Sequence, residues 1–258
     1  MLHGGPGAPG SVADLARRLG RRFRVAEPLQ RRSGTVPLTM ARNVTDLGQV
    51  VPGPVALVGW SWGAMWALSF AARYPGRVRT LVLVGCGTYD QDARGRYRAA
   101  LERRLGPSRL RELAAGLAGT EAQRRRAFAH LGRTVAEAES FDPIPGRGRD
   151  PGMAALDPRG FDETWRDVLR RQRDGREPAA FRAIRCPVLM IHGRQDPHPG
   201  SRIAESLRPY LPQLVYRPLD RCGHTPWRER QAKEPFLWLL ERWLERSDAS
   251  ARLPTPGR

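Results

Sequence analysis

Short apolar runs separated by amphipathic stretches set the rhythm of this chain. Residues 55–58 (Val-Ala-Leu-Val) and 78–84 are runs of the kind that predict strands buried on both faces. Between them, residues 64–73 predict a helix that stops before Pro75. Upstream, residues 11–19 predict a short helix: Ser11 can cap it, and Val12, Leu15 and Leu19 share a face. Residues 23–26 predict a short strand, a turn-rich loop runs on through Gly34, and residues 43–51 predict another helix. From Thr88 to about Arg185 the pattern becomes helical, over 93–105, 108–117, 121–137 and 161–173, with the loop FDPIPGRGRDPG at 141–152. Strands return at 187–191 and 214–218. An amphipathic helix over 235–246 closes the pattern, with Phe236, Leu237, Leu240, Trp243 and Leu244 on or near one stripe. Such alternation predicts an α/β fold, a mostly parallel sheet flanked by helices. The expected organisation is a core over 1–87, a helical lid inserted over 88–185, the rest of the core over 186–246, and a disordered tail over 247–258.

Composition adds two constraints. The net charge is +18, and of 44 basic residues only Lys233 is a lysine. Such a field attracts anions. The arginines are scattered through helices without interleaved aromatics, so no specific nucleic-acid partner is expected. Cys86, Cys186 and Cys222 are an odd number without metal-ligand spacing, which suits buried thiols in a reducing compartment. No apolar run is long enough to cross a membrane. A cytoplasmic protein without cofactor, metal or membrane partner is expected, its oligomeric state open.

Chemistry enters at Gly59-Trp60-Ser61-Trp62-Gly63. A buried strand leads into this pentapeptide and a helix follows directly, the setting in which a serine sits on a strained elbow. A serine hydroxyl needs a base to take its proton, and the base needs a third group to hold it. Of five histidines, His224 lies in DRCGHTPW (220–227), just past a predicted strand. Asp196 lies in MIHGRQDPHPG (190–200), again past a strand. His198 is a rival for proximity, His192 falls in the strand-end run, and His130 lies on an Arg-rich helix. The order Ser61, Asp196, His224 would gather all three at one sheet edge.

With HGGPG (3–7), GWSWG (59–63), GRQDP (193–197) and GHTPW (223–227), the chain resembles the α/β-hydrolase superfamily. It is most similar to the proline iminopeptidase-like branch. The resemblance implies the α/β-hydrolase fold with a lid, Ser61 as nucleophile, His224 as general base and Asp196 as orienting acid. It also implies an oxyanion hole from the backbone N–H of Trp62 and of Gly5 or Gly4, Gly5 first. Under it His3 anchors the opening turn. The implied activity is hydrolysis of a small ester or amide through an acyl-enzyme. Alternatives are an iminopeptidase-like aminopeptidase, an acyltransferase or lyase, or a non-catalytic ligand-binding member. Candidate substrate contacts are Trp60, Trp227, and the lid carboxylates Glu137 and Glu139, which with Asp142 could hold a substrate ammonium. EPLQRRSG (27–34) is a loose version of that branch's Asp-Gln-Arg-Gly loop.

The opening MLHGGPG raises one more expectation. In the superfamily this turn follows the third strand, and only Met1 and Leu2 precede it here. Strands 1 and 2 and most of strand 3 are therefore expected to be missing. The native protein is expected to carry about 20–35 further upstream residues.

Overall fold

A computed structural model describes residues 1–115, 120–145 and 157–252. Within them four parallel strands form one sheet in the order β1 (Val55–Trp60), β2 (Val78–Val84), β3 (Val188–Gly193) and β4 (Leu214–Leu219). Around it lie α1 (Ala13–Leu19), α2 (Met40–Val50), α3 (Trp62–Arg73), α4 (Gln91–Leu105), α5 (Pro107–Ala115), α6 (Glu121–Glu139), α7 (Pro158–Arg173), α8 (Gly200–Leu207) and α9 (Lys233–Arg252). The apolar runs are buried because successive side chains feed opposite faces. Leu57, Leu81, Leu83, Val188 and Met190 join α2, α3 and α8 on one side. Val58, Val82, Val84, Leu189 and Ile191 join α1 and α9 on the other. β4 tolerates Pro218 because it is an edge strand. α3 is apolar all round and buried throughout from Trp62 to Ala71, as a central helix must be.

Registers bring the carboxyl ends of the strands level. Trp60 faces Val84, Val84 faces Ile191, and Ile191 faces Arg217. Whatever follows each strand therefore collects along one edge. Among the described residues, α4 to α7 and a 3-10 turn at Ala179–Ala183 occupy the interval between β2 and β3.

Several expectations are corrected. No strand forms at 23–26, where Ala26 O accepts a hydrogen bond from the Met1 amino group at 2.5 Å. Leu2, by contrast, bridges β1 as a single parallel pair: its N–H donates to Val58 O at 2.8 Å and its O accepts from Trp60 N at 3.1 Å. Ser11 caps nothing; α1 starts at Ala13 without a side-chain cap. α8 was not read from the sequence, since eight residues behind Pro199 give too short a period. α9 runs to Arg252, past the 246 boundary and into the tail expected to be disordered. The end of the helix expected over 108–117, most of the loop over 146–152 and the final residues 253–258 lie outside the described residues.

Candidate active site

The elbow is built by close approach. Ser61 sits at φ 55° and ψ −118°, a region L-residues avoid, with its N–H tied to Val84 O at 2.9 Å. A Cβ on Gly59 would lie 2.2 Å from Gly63 O, and one on Gly63 would lie 2.3 Å from Leu2 O. Both glycines are therefore obligatory, and the second lets the backbone of Leu2 and His3 press against the elbow. The Ser61 hydroxyl has no protein hydrogen-bond partner among the described residues.

The opening turn is held by side chains from elsewhere. His3 is fully buried; its Nδ1 faces Gly4 O at 2.9 Å and its Nε2 accepts from Gln30 N at 3.1 Å. That pattern requires the neutral tautomer, and burial pushes its pKa down, so His3 behaves as the expected anchor. Gly4 N–H donates to Ser11 Oγ at 3.0 Å and so is already engaged within the protein. Gly7 N–H and Trp62 Nε1 both donate to Gln30 Oε1, at 3.0 and 3.2 Å. Gly5, at φ 115°, and Trp62 keep backbone N–H groups without a protein acceptor among the described residues. Gln30 and Ser11 are positioning residues that sequence reasoning missed. Their bonds join residues 7 to 32 positions apart, and no local period carries that signal.

Asp196 and His224 meet beyond β3 and β4. His224 Nδ1 lies 2.7 Å from Asp196 Oδ2, with both side chains buried. Two further histidines converge on the same carboxylate. His192 Nε2 stands 3.0 Å from Oδ2, and His198 donates to Oδ1 from its backbone N–H at 2.9 Å and from Nδ1 at 3.1 Å. Burial opposes ionisation of Asp196, yet the three imidazoles hold its pKa well below the usual carboxylate range. Burial likewise pushes His224 down; Asp196 and then Glu139 outweigh it and hold it up at about 9. His198, the sequence-level rival of His224, is thus a neighbour of the same pair. The His224 ring also lies against the residue that follows β2, since a Cβ on Gly85 would be 3.0 Å from Nδ1.

The expected substrate contacts divide. Trp60 is half-buried, donates from Nε1 to His224 O at 2.9 Å, and lies beside the His224 ring at 5.4 Å. Trp227 is turned into the core, its indole donating to Asp14 Oδ1 at 3.0 Å and its ring edge meeting Trp60 at 5.5 Å. Glu137 is exposed on α6, whereas Glu139 is buried and accepts from Tyr97 OH at 2.9 Å. Asp142 lies 3.4 Å from Arg230. Glu139, His198 and His224 do offer ligand atoms within 4.8 Å of one another, a cluster the sequence spacing did not show. The two imidazoles, however, stack at 4.6 Å with planes 19° apart, so their in-plane lone pairs run side by side and do not converge on a tetrahedral ion.

A third device joins the helical insertion to the His224 loop. Glu229, 1% exposed, accepts from Phe141 N at 2.9 Å, Asp142 N at 2.7 Å and Gly223 N at 3.1 Å. His224 N–H donates to Glu139 O at 2.9 Å, and Ile144 N–H to Arg228 O at 2.8 Å. The seam runs on through Arg230 N–H to Asp142 O and a Pro143–Glu229 antiparallel bridge.

Comparison with known proteins places this architecture. A profile of the alpha/beta hydrolase family matches residues 1–234. A pimeloyl-[acyl-carrier protein] methyl ester esterase of Aromatoleum aromaticum is 28% identical over 245 residues, covering 88% of this chain and 90% of that protein. The enzyme of the same name from Xanthomonas campestris pv. campestris is 30% identical over 200 residues, covering 75% of this chain and 72% of its own length. Among solved structures, a carboxylesterase study from Nitrososphaera gargenis supplies one with TM-score 0.66 and 17% identity, covering 96% of this chain and 90% of that one. A thermophilic esterase of Thermogutta terrifontis matches with TM-score 0.56 at 20% identity, over 95% and 88% of the two chains.

Proposed function

We propose, from the premise that this chain belongs to the alpha/beta hydrolase family and is a hydrolase, that it is a serine esterase working through Ser61, His224 and Asp196. The observation that carries this assignment is the 2.7 Å contact of His224 Nδ1 with Asp196 at the sheet edge where β1 ends in a strained serine. With Nδ1 engaged, Nε2 is the nitrogen left to take the Ser61 proton. Ser61 Oγ then attacks the ester carbonyl, and the carbonyl oxygen becomes an oxyanion. The backbone N–H groups of Trp62 and Gly5 receive that charge, each worth about 3 kcal/mol in the transition state. Collapse breaks the C–O bond of the ester, and the imidazolium returns its proton to the departing alcohol. Water, deprotonated by the same nitrogen, releases the acid from Ser61.

The curated relatives are named for a methyl ester of a carrier-bound dicarboxylic acid. A small ester with an anionic acyl portion or an acidic carrier fits a chain of net charge +18. Trp60 is the substrate contact retained, and the helices between β2 and β3 serve as the lid. The iminopeptidase-like alternative loses ground because Glu139 and Asp142 are engaged within the protein and the named relatives are esterases. Three free cysteines, all buried, favour a reducing compartment such as the cytoplasm.

The test compares the unsubstituted protein with Ser61→Ala on a panel of p-nitrophenyl and methyl esters, with fluorophosphonate labelling read by mass. Ser61→Ala should lower kcat roughly a millionfold and abolish the label while the fold stands. Equal turnover in both proteins would overturn the assignment. An added alcohol captured as a new ester in preference to hydrolysis would move the protein to the acyltransferases.

A further inference from the structure

Glu139 entered as a candidate for binding a substrate amine, and the structure gives it a different neighbourhood. It ends α6, buried, with Oε1 accepting from Tyr97 OH of α4 at 2.9 Å and lying 3.7 Å from His198 Nδ1. A carboxylate oxygen of Glu139 lies within 4.8 Å of a His224 ring nitrogen. Tyr97, His198 and His224 form a continuous stack: 3.9 Å and 25° between the first two rings, 4.6 Å and 19° between the last two. Tyr97, Glu139 and His198, from three segments distant in sequence, thus gather beside the His224 imidazole.

We propose that Glu139 is a second positioning carboxylate for His224, carried in by the helical insertion, so that the charge of the imidazolium is shared between two acids. The proposal rests on His224 being the base. Asp196 is within hydrogen-bond distance of Nδ1 at 2.7 Å, whereas the Glu139 carboxylate, within 4.8 Å of a ring nitrogen, acts through space. In a site with little water, an opposite charge at this range favours the charged ring. His198 has its Nδ1 3.1 Å from Asp196 and 3.7 Å from Glu139 and its ring stacked on His224, so it spaces the two carboxylates.

The remaining groups around His224 do not duplicate this role. His192 reaches it only through Asp196. The carboxylate of Glu229 is taken by three backbone N–H groups. Burial holds the Tyr97 hydroxyl and the Cys222 thiol in their neutral forms. The Arg104 guanidinium is turned to Ala138 O and Gln195 O, pinning α6 to the Asp196 loop. The insertion cannot leave the base loop without taking Glu139 with it, because His224 N–H is bonded to Glu139 O.

The test uses Glu139→Gln, which keeps an acceptor for Tyr97 and removes the charge, and Glu139→Asp, which keeps the charge. Imidazole titrations are followed by NMR in a Ser61→Ala background and compared with the pH profile of kcat/KM in the Ser61 proteins. Glu139→Gln should move the His224 titration about one pH unit toward acid, raising kcat/KM about tenfold on the acidic side; Glu139→Asp should move both far less. A His224 titration unmoved in folded Glu139→Gln overturns the proposal. A titration that moves while the kcat/KM profile does not leaves the coupling standing and removes His224 from its role as base. A structural contribution alone would lower kcat at every pH without displacing the profile.

Discussion

At the residue scale, the site depends on a few atoms whose displacement has calculable consequences. His224 is held up at about 9, so only its minor, neutral form can accept a proton near neutral pH. The kcat/KM of the unsubstituted protein should therefore climb with pH through neutrality and level off around 9, and a profile flat from pH 6 to 9 would contradict the base assignment. Gly63 offers a second check. A methyl group there meets Leu2 O and His3 O at 2.3 and 2.6 Å, both backbone atoms that cannot swing aside. Gly63→Ala should cost about 1–3 kcal/mol by chemical denaturation and remove most activity, because the elbow and the opening turn are forced apart. Much of this scale was legible in advance. Gly59 and Gly63 announce themselves because only glycine permits such approach, and Ser61, Asp196 and His224 each follow an apolar run. The partners of Gly4 and Gly7 were not legible: Ser11 and Gln30 are ordinary polar residues whose value lies in where folding carries them.

At the scale of elements, the seam between the helical insertion and the His224 loop is the feature with most leverage. Glu229 supplies two carboxylate oxygens to three backbone N–H groups, that of Gly223 buried and those of Phe141 and Asp142 partly so. Charge-assisted bonds of this kind contribute about 1.5–3 kcal/mol each, and their loss leaves the buried Gly223 N–H without its partner. Glu229→Ala should lower stability by about 3 kcal/mol. Hydrogen exchange should speed up at Phe141, Asp142 and Gly223 before the sheet strands respond. Equal protection in both proteins would show that the seam is held by other means. The strands of the sheet were readable because each apolar run feeds two cores. The run at 23–26 misled for the same reason in reverse: a strand exists only when a neighbour pairs with it, and here only the Met1 amino group reaches Ala26.

For the whole molecule, charge and pH act together. The raised His224 contributes stability that is complete below its ordinary value near 6.5 and is lost as pH rises through about 9. The depressed Asp196 contributes stability present above its ordinary value of 3.8 and lost as pH falls through its lowered one. Both are views of one ion pair, so melting temperature should peak between them and fall at either end; a melting temperature still rising from pH 8 to 10 would refute the pairing. With net charge +18, added salt should depress kcat/KM for anionic esters more than for neutral ones of equal size. The four strands of the sheet, the two-faced core and the order Ser61, Asp196, His224 were legible in the sequence alone, because burial periodicity and glycine sterics are local properties. The convergence of three histidines on Asp196, the inward turn of Glu139 and Trp227, and the capture of the opening turn by Gln30 were decided only in the tertiary structure. Those bonds join residues brought together by the level carboxyl ends of parallel strands, and distance along a chain carries no record of that meeting.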